Sequence, residues 1–172
     1  MDQTVLDWLL EEKNPEVRLF KRNMLKKYKF GFDFWGLLLF LVIMTPNFIW
    51  FAVPAPNDVL RSDSVTPIVD KIGSICQVTF IAAICILKRK DIRAVRFTKL
   101  INSALVLVAL YCLGWILYYQ GMVNPIVIML LSLSPCLSFI VYTIDRKNMI
   151  ATIPAAIFTI CHIIYGVANF IL

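Results

Sequence analysis

The sequence is short of the residues that most active sites are built from. It holds one histidine and 11 acidic residues in 172 positions, and only one acid, Asp70, falls inside an apolar run. Phosphoryl and glycosyl chemistry draw on several carboxylates or a metal site, which a lone acid does not supply. There is no HExxH, no glycine-rich phosphate loop and no GxSxG element, so no catalytic motif marks an enzyme. His162 follows Cys161, but neighbouring residues on a helix point about 100° apart and do not form a nucleophile–base pair by themselves. The five cysteines (Cys76, Cys85, Cys112, Cys136, Cys161) include no CxxC pair and are odd in number. That argues against a disulfide framework or a zinc site and leaves them as small apolar packing residues. The reading calls for no metal and no cofactor.

Apolar residues are what the chain has instead. They fill 60% of it, and the mean hydropathy of +0.78 lies far outside the soluble globular range. Roughly 20 apolar residues span the hydrocarbon of a bilayer, and five such runs predict spans at about 34–53, 67–87, 98–119, 123–144 and 149–171. The expected fold is all-α: a polytopic membrane protein with a five-helix transmembrane bundle (34–172) behind an N-terminal amphipathic arm (1–33). Thr66-Pro67 and Asn124-Pro125 read as a helix cap followed by proline at the first helical position. Pro46, inside the first run, should release a carbonyl near Val42. Spans 1–2 and 4–5 show no repeat, which argues against a complete inverted-repeat transporter in one chain, although a homodimer would supply one.

Basic residues cluster beside the spans. Residues 1–33 hold seven Lys and Arg, 88–99 hold six and 145–148 hold two, so 15 of the 17 fall in segments that one side of a membrane would share. Only Arg61 and Lys71 fall in the other segments. This split predicts a cytoplasmic N-terminus and an external C-terminus in a bacterial cytoplasmic membrane. It also accounts for the basic pI without nucleic acid. Residues 1–33 do not read as a cleaved signal, so the first span is expected to direct its own insertion.

Within the arm, residues 4–13 read as a short acidic helix. In 15–29 an apolar stripe of Val17, Phe20, Met24 and Tyr28 is flanked by Arg18, Lys21, Arg22, Lys26, Lys27 and Lys29. Such a basic amphipathic helix suits the headgroup level of anionic lipids, the partner expected here. A solvated helix covering the inner ends of the bundle is the plainer alternative.

The candidate site comes from depth and periodicity. In span 5, Thr152, Ala155, Thr159, His162, Gly166 and Asn169 share one face, a seam that suits either close helix packing or a cavity. At ~1.5 Å per residue, Asn47, Gln77, Ser132 and His162 fall in one band of the outer half. With Asn169 they are the expected lining of an outward-facing pocket for a small solute or ion. Asp70, Gly73 and Gln77 form a polar stripe leading into it. The connection with Asp58, Arg61 and Asp63 is long enough to act as a lid, or is a solvated tie between two spans. In the alternative reading the polar seam only packs helices, and the chain is a non-transporting accessory protein whose basic N-terminal arm docks lipid or a partner; a second copy or a membrane protein is a further candidate partner.

The strings PNFIWFAVPAPNDVLRSDSVTPIVD and IDRKNMIATIPAAIFTICHIIYGVANF resemble an uncharacterised family of small membrane proteins from low-GC Gram-positive bacteria. That resemblance covers most of the spanning region and implies no activity. Five spans in this length also resemble the tryptophan-rich sensory proteins of the translocator family, but their tryptophan and double-proline signature is missing from the first loop.

Overall fold

The computed structural model describes residues 26–92 and 94–170. Five helices make up the bundle: α1 (Phe34–Ala52), α2 (Pro67–Ile86), α3 (Lys99–Tyr119), α4 (Pro125–Asp145) and α5 (Met149–Phe170). Each lies within two residues of an expected span, and all five are long and apolar enough to cross a membrane. The chain is a multi-pass membrane protein. The helices start where polar residues meet the apolar runs. Thr98 accepts the Ile101 amide at 3.1 Å and Asn124 accepts the Val127 amide at 3.0 Å, each satisfying a donor that a helix start leaves open. Pro67 and Pro125 occupy the first turn as expected. Thr66 departs from expectation: its hydroxyl donates to Asp70 Oδ1 at 3.1 Å and makes no cap bond. α1 continues through Pro46, and around it Thr45 donates to Leu41 O and Asn47 to Ile43 O.

Helices α3, α4, α5 and α2 pack in that order side by side, and α1 lies against α2, α3 and α4. α4 carries the core, with Ile128, Ser138, Phe139 and Thr143 among its buried side chains. Phe80 of α2 meets Phe139 of α4 and Phe158 of α5, with ring centroids 5.1 and 5.4 Å apart. Ser138 donates to Ala104 O of α3 at 3.1 Å, the kind of interhelical bond that replaces hydrophobic drive in lipid. α1 buries only Gly36 and Ile43, leaving Trp35, Leu38, Val42, Phe48 and Ile49 exposed.

The starts of α1, α3 and α5 and the ends of α2 and α4 share one end with Lys88, Arg89, Arg146 and Lys147, the basic end. The other end carries the 53–66 connection and is the loop end. At the basic end the sequence expectation is corrected. Tyr28 and Lys29, expected on a helix, lie in strand β1 (Tyr28–Phe30), which pairs antiparallel with β2 (Leu87–Arg89). The ladder runs on as Gly31 N–H donates to Ile86 O at 3.0 Å and Asp33 N–H to Cys85 O at 2.7 Å. Asn148 Nδ2 donates to Ala83 O and Leu87 O at 3.1 and 3.0 Å. The carbonyls that α2 leaves open at its end are therefore taken by the segment before α1 and the turn before α5. That demand for donors explains an extended backbone at 28–33. Lys26 and Lys27 are exposed. The helix expected over 4–13, and Arg18, Lys21 and Arg22, lie outside the described residues.

Candidate functional site in the groove between α2 and α5

On α2, Asp70, Ser74 and Gln77 are spaced by four and three residues and share a face. On α5, Phe158, His162 and Tyr165 do the same. The two faces meet across Gly73, where a Cβ would lie 3.4 Å from Cys161 Cβ, an ordinary contact that lets the helices approach. Between them a groove of about 340 Å³ opens, lined by α2 and α5 alone. That volume falls in the range of small-molecule sites, roughly 300–1,000 Å³. The rings of α5 form a ladder: Phe158 and His162 stack at 5.0 Å and 28°, and His162 and Tyr165 at 6.0 Å and 20°. The Asp70 carboxylate stands near the loop end, in the first turn of α2, and among the described residues it accepts only the Thr66 hydroxyl. Among the described residues, neither the Gln77 amide nor the His162 imidazole has a hydrogen-bond partner. Both are half-buried. Both face the open groove, where water or a solute with hydrogen-bonding groups would satisfy them. The groove thus offers a carboxylate at one end, an amide and an imidazole deeper in, and aromatic faces along one wall.

The other residues expected at this site are elsewhere. Asn47 faces away, donating to Tyr111 Oη of α3 at 2.7 Å and tying α1 to the bundle. The same amide also donates to Ile43 O at 3.2 Å, within α1 itself. Ser132 is buried on α4, where its Oγ lies 3.3 Å from the position a Gly166 Cβ would take. Asn169 holds the loop: its Oδ1 accepts Val65 N–H at 2.7 Å, and its Nδ2 donates to Thr66 Oγ1 at 3.1 Å and Tyr165 O at 2.9 Å. The expected pocket between spans 1, 2, 4 and 5 is thus a groove between α2 and α5, with Asn47 and Ser132 outside it.

Asp58 and Arg61 also act in the loop. Asp58 accepts Trp50 Nε1 at 2.9 Å, Tyr118 Oη at 2.9 Å, Arg61 Nε at 2.7 Å and Ala55 N–H at 3.4 Å. Arg61 also donates to Trp50 O, and its guanidinium sits 5.0 Å above the Trp50 ring, within cation–π range. Burial pushes the Asp58 carboxyl up, but the Trp50, Tyr118 and Arg61 donors outweigh it and hold its pKa below the usual value. Asn57 adds a bond to Gly121 O at 3.1 Å, at the turn where Gly121 takes a φ of 83° that favours glycine. Asp63 is exposed. The connection is pinned along its length to α1, α3 and α5.

Sequence reasoning missed Asp33, which it placed in the arm. Asp33 is 4% exposed at the basic end, accepts Tyr142 Oη at 3.2 Å, and lies 3.7 Å from Arg146 Nε and 4.0 Å from Lys88 Nζ. The signal available was a single acid immediately before the first span, facing two basic turns. The space among these groups, about 10 Å³, is the size of one water, so the cluster is an internal ion-pair network rather than a ligand site. Among the described residues no three His, Cys, Asp or Glu side chains gather as metal ligands would. No protein family, curated protein or solved structure matches the chain.

Proposed function

We propose that this membrane protein binds a small solute or ion in the α2–α5 groove, entered from the loop end. The observation that carries the reading is the convergence of Asp70, Gln77 and His162 on one hollow, with Gln77 and His162 unpartnered, while the neighbouring polar residues are committed to packing. A carboxylate beside a ladder of aromatic faces favours a ligand that is cationic or rich in donors, since rings and carboxylate both attract positive charge. The clustering of Lys and Arg supports a loop end outside and an N-terminus inside, in what we take to be a bacterial cytoplasmic membrane. The full chain in lipid nanodiscs, titrated with sodium, potassium and tetraethylammonium by calorimetry, tests this. Binding of one probe should weaken about tenfold in Asp70→Asn, the factor that corresponds to ~1.4 kcal/mol, and stay unchanged in Asn47→Ala. Equal affinities in the wild type, Asp70→Asn and Gln77→Ala would overturn it.

The accessory reading keeps one specific support. α1 exposes Trp35, Leu38, Val42, Phe48, Ile49 and Phe51 and buries little, as a helix would that packs on another membrane protein or on a second copy. Crosslinking from α1 to a partner, together with loss of solute binding from no groove variant, would put this reading first.

A further inference from the structure

A second hollow lies on the other side of the bundle. Leu38, Leu39 and Val42 of α1 face Ile101, Ala104 and Val108 of α3 across a crevice of about 270 Å³, reaching two turns in from the basic end. Both sets are spaced by one, three or four residues, so each helix presents one apolar face to the gap. The buried Tyr142, whose hydroxyl is already bonded to Asp33, closes the inner side near the basic end, and the walls are almost wholly apolar. The mouth is different. Arg96 lines it from the linker before α3, and Phe97 beside it is 82% exposed. Trp35 lines the same mouth from α1, and Phe30, Phe32 and Phe34 are exposed at this end. Trp35 and the basic residues Lys88, Arg89, Arg146 and Lys147 at this end suit the headgroup level of a bilayer; with that end at the headgroups, the Arg96 guanidinium would stand at phosphate height and the crevice at acyl depth.

We propose that this crevice holds one acyl chain of an anionic phospholipid, with the phosphate on Arg96. Charge complementarity decides the class. The mouth offers a guanidinium, which binds phosphate in bidentate fashion, and Lys99, three residues on at the start of α3, is exposed. Asp145, the acid at this edge, accepts the Thr98 hydroxyl at 2.6 Å. The apolar walls admit a hydrocarbon chain and offer a headgroup nothing below the mouth. The site is independent of the α2–α5 groove, shares no residue with it, and would wedge α1 against α3 where the two helices otherwise stand apart.

Native mass spectrometry of the full chain, purified in mild detergent and exposed to equimolar phosphatidylglycerol and phosphatidylcholine, tests the assignment. One phosphatidylglycerol should be retained in preference. Arg96→Gln should lower that preference about fivefold, the factor that ~1 kcal/mol per basic residue at a lipid surface represents. Val108→Phe, which fills the deep end, should reduce retention of both lipids while leaving the melting temperature in detergent near the wild-type value. A folded Val108→Phe that retains lipid as the wild type does would overturn the crevice as the site. An Arg96→Gln variant with unchanged preference would overturn the phosphate contact. Glycerol phosphate without chains should fail to compete; competition by it would show an anion site that needs no crevice.

Discussion

Tyr118 donates its hydroxyl to Asp58 at 2.9 Å, joining the last turn of α3 to the connection that follows α1. The same hydroxyl accepts Leu60 N–H at 3.2 Å, and Tyr118 is fully buried. Around this pair the Trp50 indole, the Arg61 guanidinium and the Ala55 amide converge on one carboxylate. A carboxylate that accepts so many donors is committed to structure. A solute bound as proposed in the α2–α5 groove would therefore pass a pinned rim, without the 53–66 connection having to open for it.

Asp58→Asn should destabilise the loop end, because hydrogen bonds to a charged group contribute about 1.5–3 kcal/mol and the amide cannot accept from all four donors. Thermal melting in detergent measures the loss. Its pH dependence has a definite sign. The folded-state pKa lies below the ordinary 3.8, so the contribution is complete above that value and disappears as pH falls through the folded pKa. The wild type should lose its advantage over Asp58→Asn only in that acid range. An advantage that vanished nearer neutrality would assign the effect to another group.

Gly36→Ala should separate α1 from α2. A Cβ there would collide with Ile84 Cγ2 and crowd Ile84 O at 3.3 Å, and Ile84 is 2% exposed. Overpacking of this kind costs about 1–3 kcal/mol. Ile84→Ala removes the obstructing methyl, so the double variant should lose less than the sum of the two single losses. Additive losses would mean that α1 and α2 do not touch at this point.

Asn148 does two jobs that conservative variants separate. Its Oδ1 accepts Ala151 N–H at 3.3 Å at the start of α5, and its Nδ2 holds Ala83 O and Leu87 O of the α2 end. Asn148→Asp keeps the first and loses the second. It should speed hydrogen exchange at Gly31 and Asp33, whose amides bond to the same end of α2. Unchanged exchange would detach the β1 segment from the role given to it here.

How far the sequence carried depends on which interactions are periodic. The spans were legible to within two residues because hydropathy, proline and capping residues act over neighbours; Asn124 caps as expected, whereas Thr66 turns to Asp70 instead and Thr98 is a cap that the sequence reading did not single out. The groove was half legible. Spacing put Asp70 with Gln77 and set His162 on the seam of α5, but depth along the membrane does not fix rotation about the helix axis. Asn47 has the right depth and the wrong face. The β1–β2 ribbon was illegible from Tyr28-Lys29-Phe30, where the apolar stripe reads as helix. Its pairing is set by open carbonyls on a segment remote in sequence, and the contacts of Asp33 with Tyr142 and Arg146 are more remote still, 109 residues away for Tyr142.

Orientation has its own check. Reporter fusions after Lys90 and Lys147 should read cytoplasmic, and fusions after Asp63 and Gln120 external, as the placement of Lys and Arg requires. An external reading at Lys90 would invert the bundle and put the α2–α5 groove mouth on the cytoplasmic side.

The last prediction separates packing from binding by stability alone. Asn47 Nδ2 and Tyr111 Oη are bonded at 2.7 Å between α1 and α3, so Asn47→Ala and Tyr111→Phe remove the same interaction. A double-mutant cycle should return a coupling of about 0.6 kcal/mol, the average for such bonds in a membrane. Gln77 and His162 share a groove but no hydrogen bond, and neither bonds to another described residue. Gln77→Leu should leave stability within about 0.5 kcal/mol of the wild type or raise it, since a half-buried amide without a partner contributes nothing to the fold. If Gln77→Leu is as stable as the wild type and yet binds the probe cation less tightly, the amide serves a ligand. If Gln77→Leu instead costs as much as Asn47→Ala, Gln77 is packing like the rest of the polar seam, and the case for the α1 surface as a docking face becomes the stronger of the two.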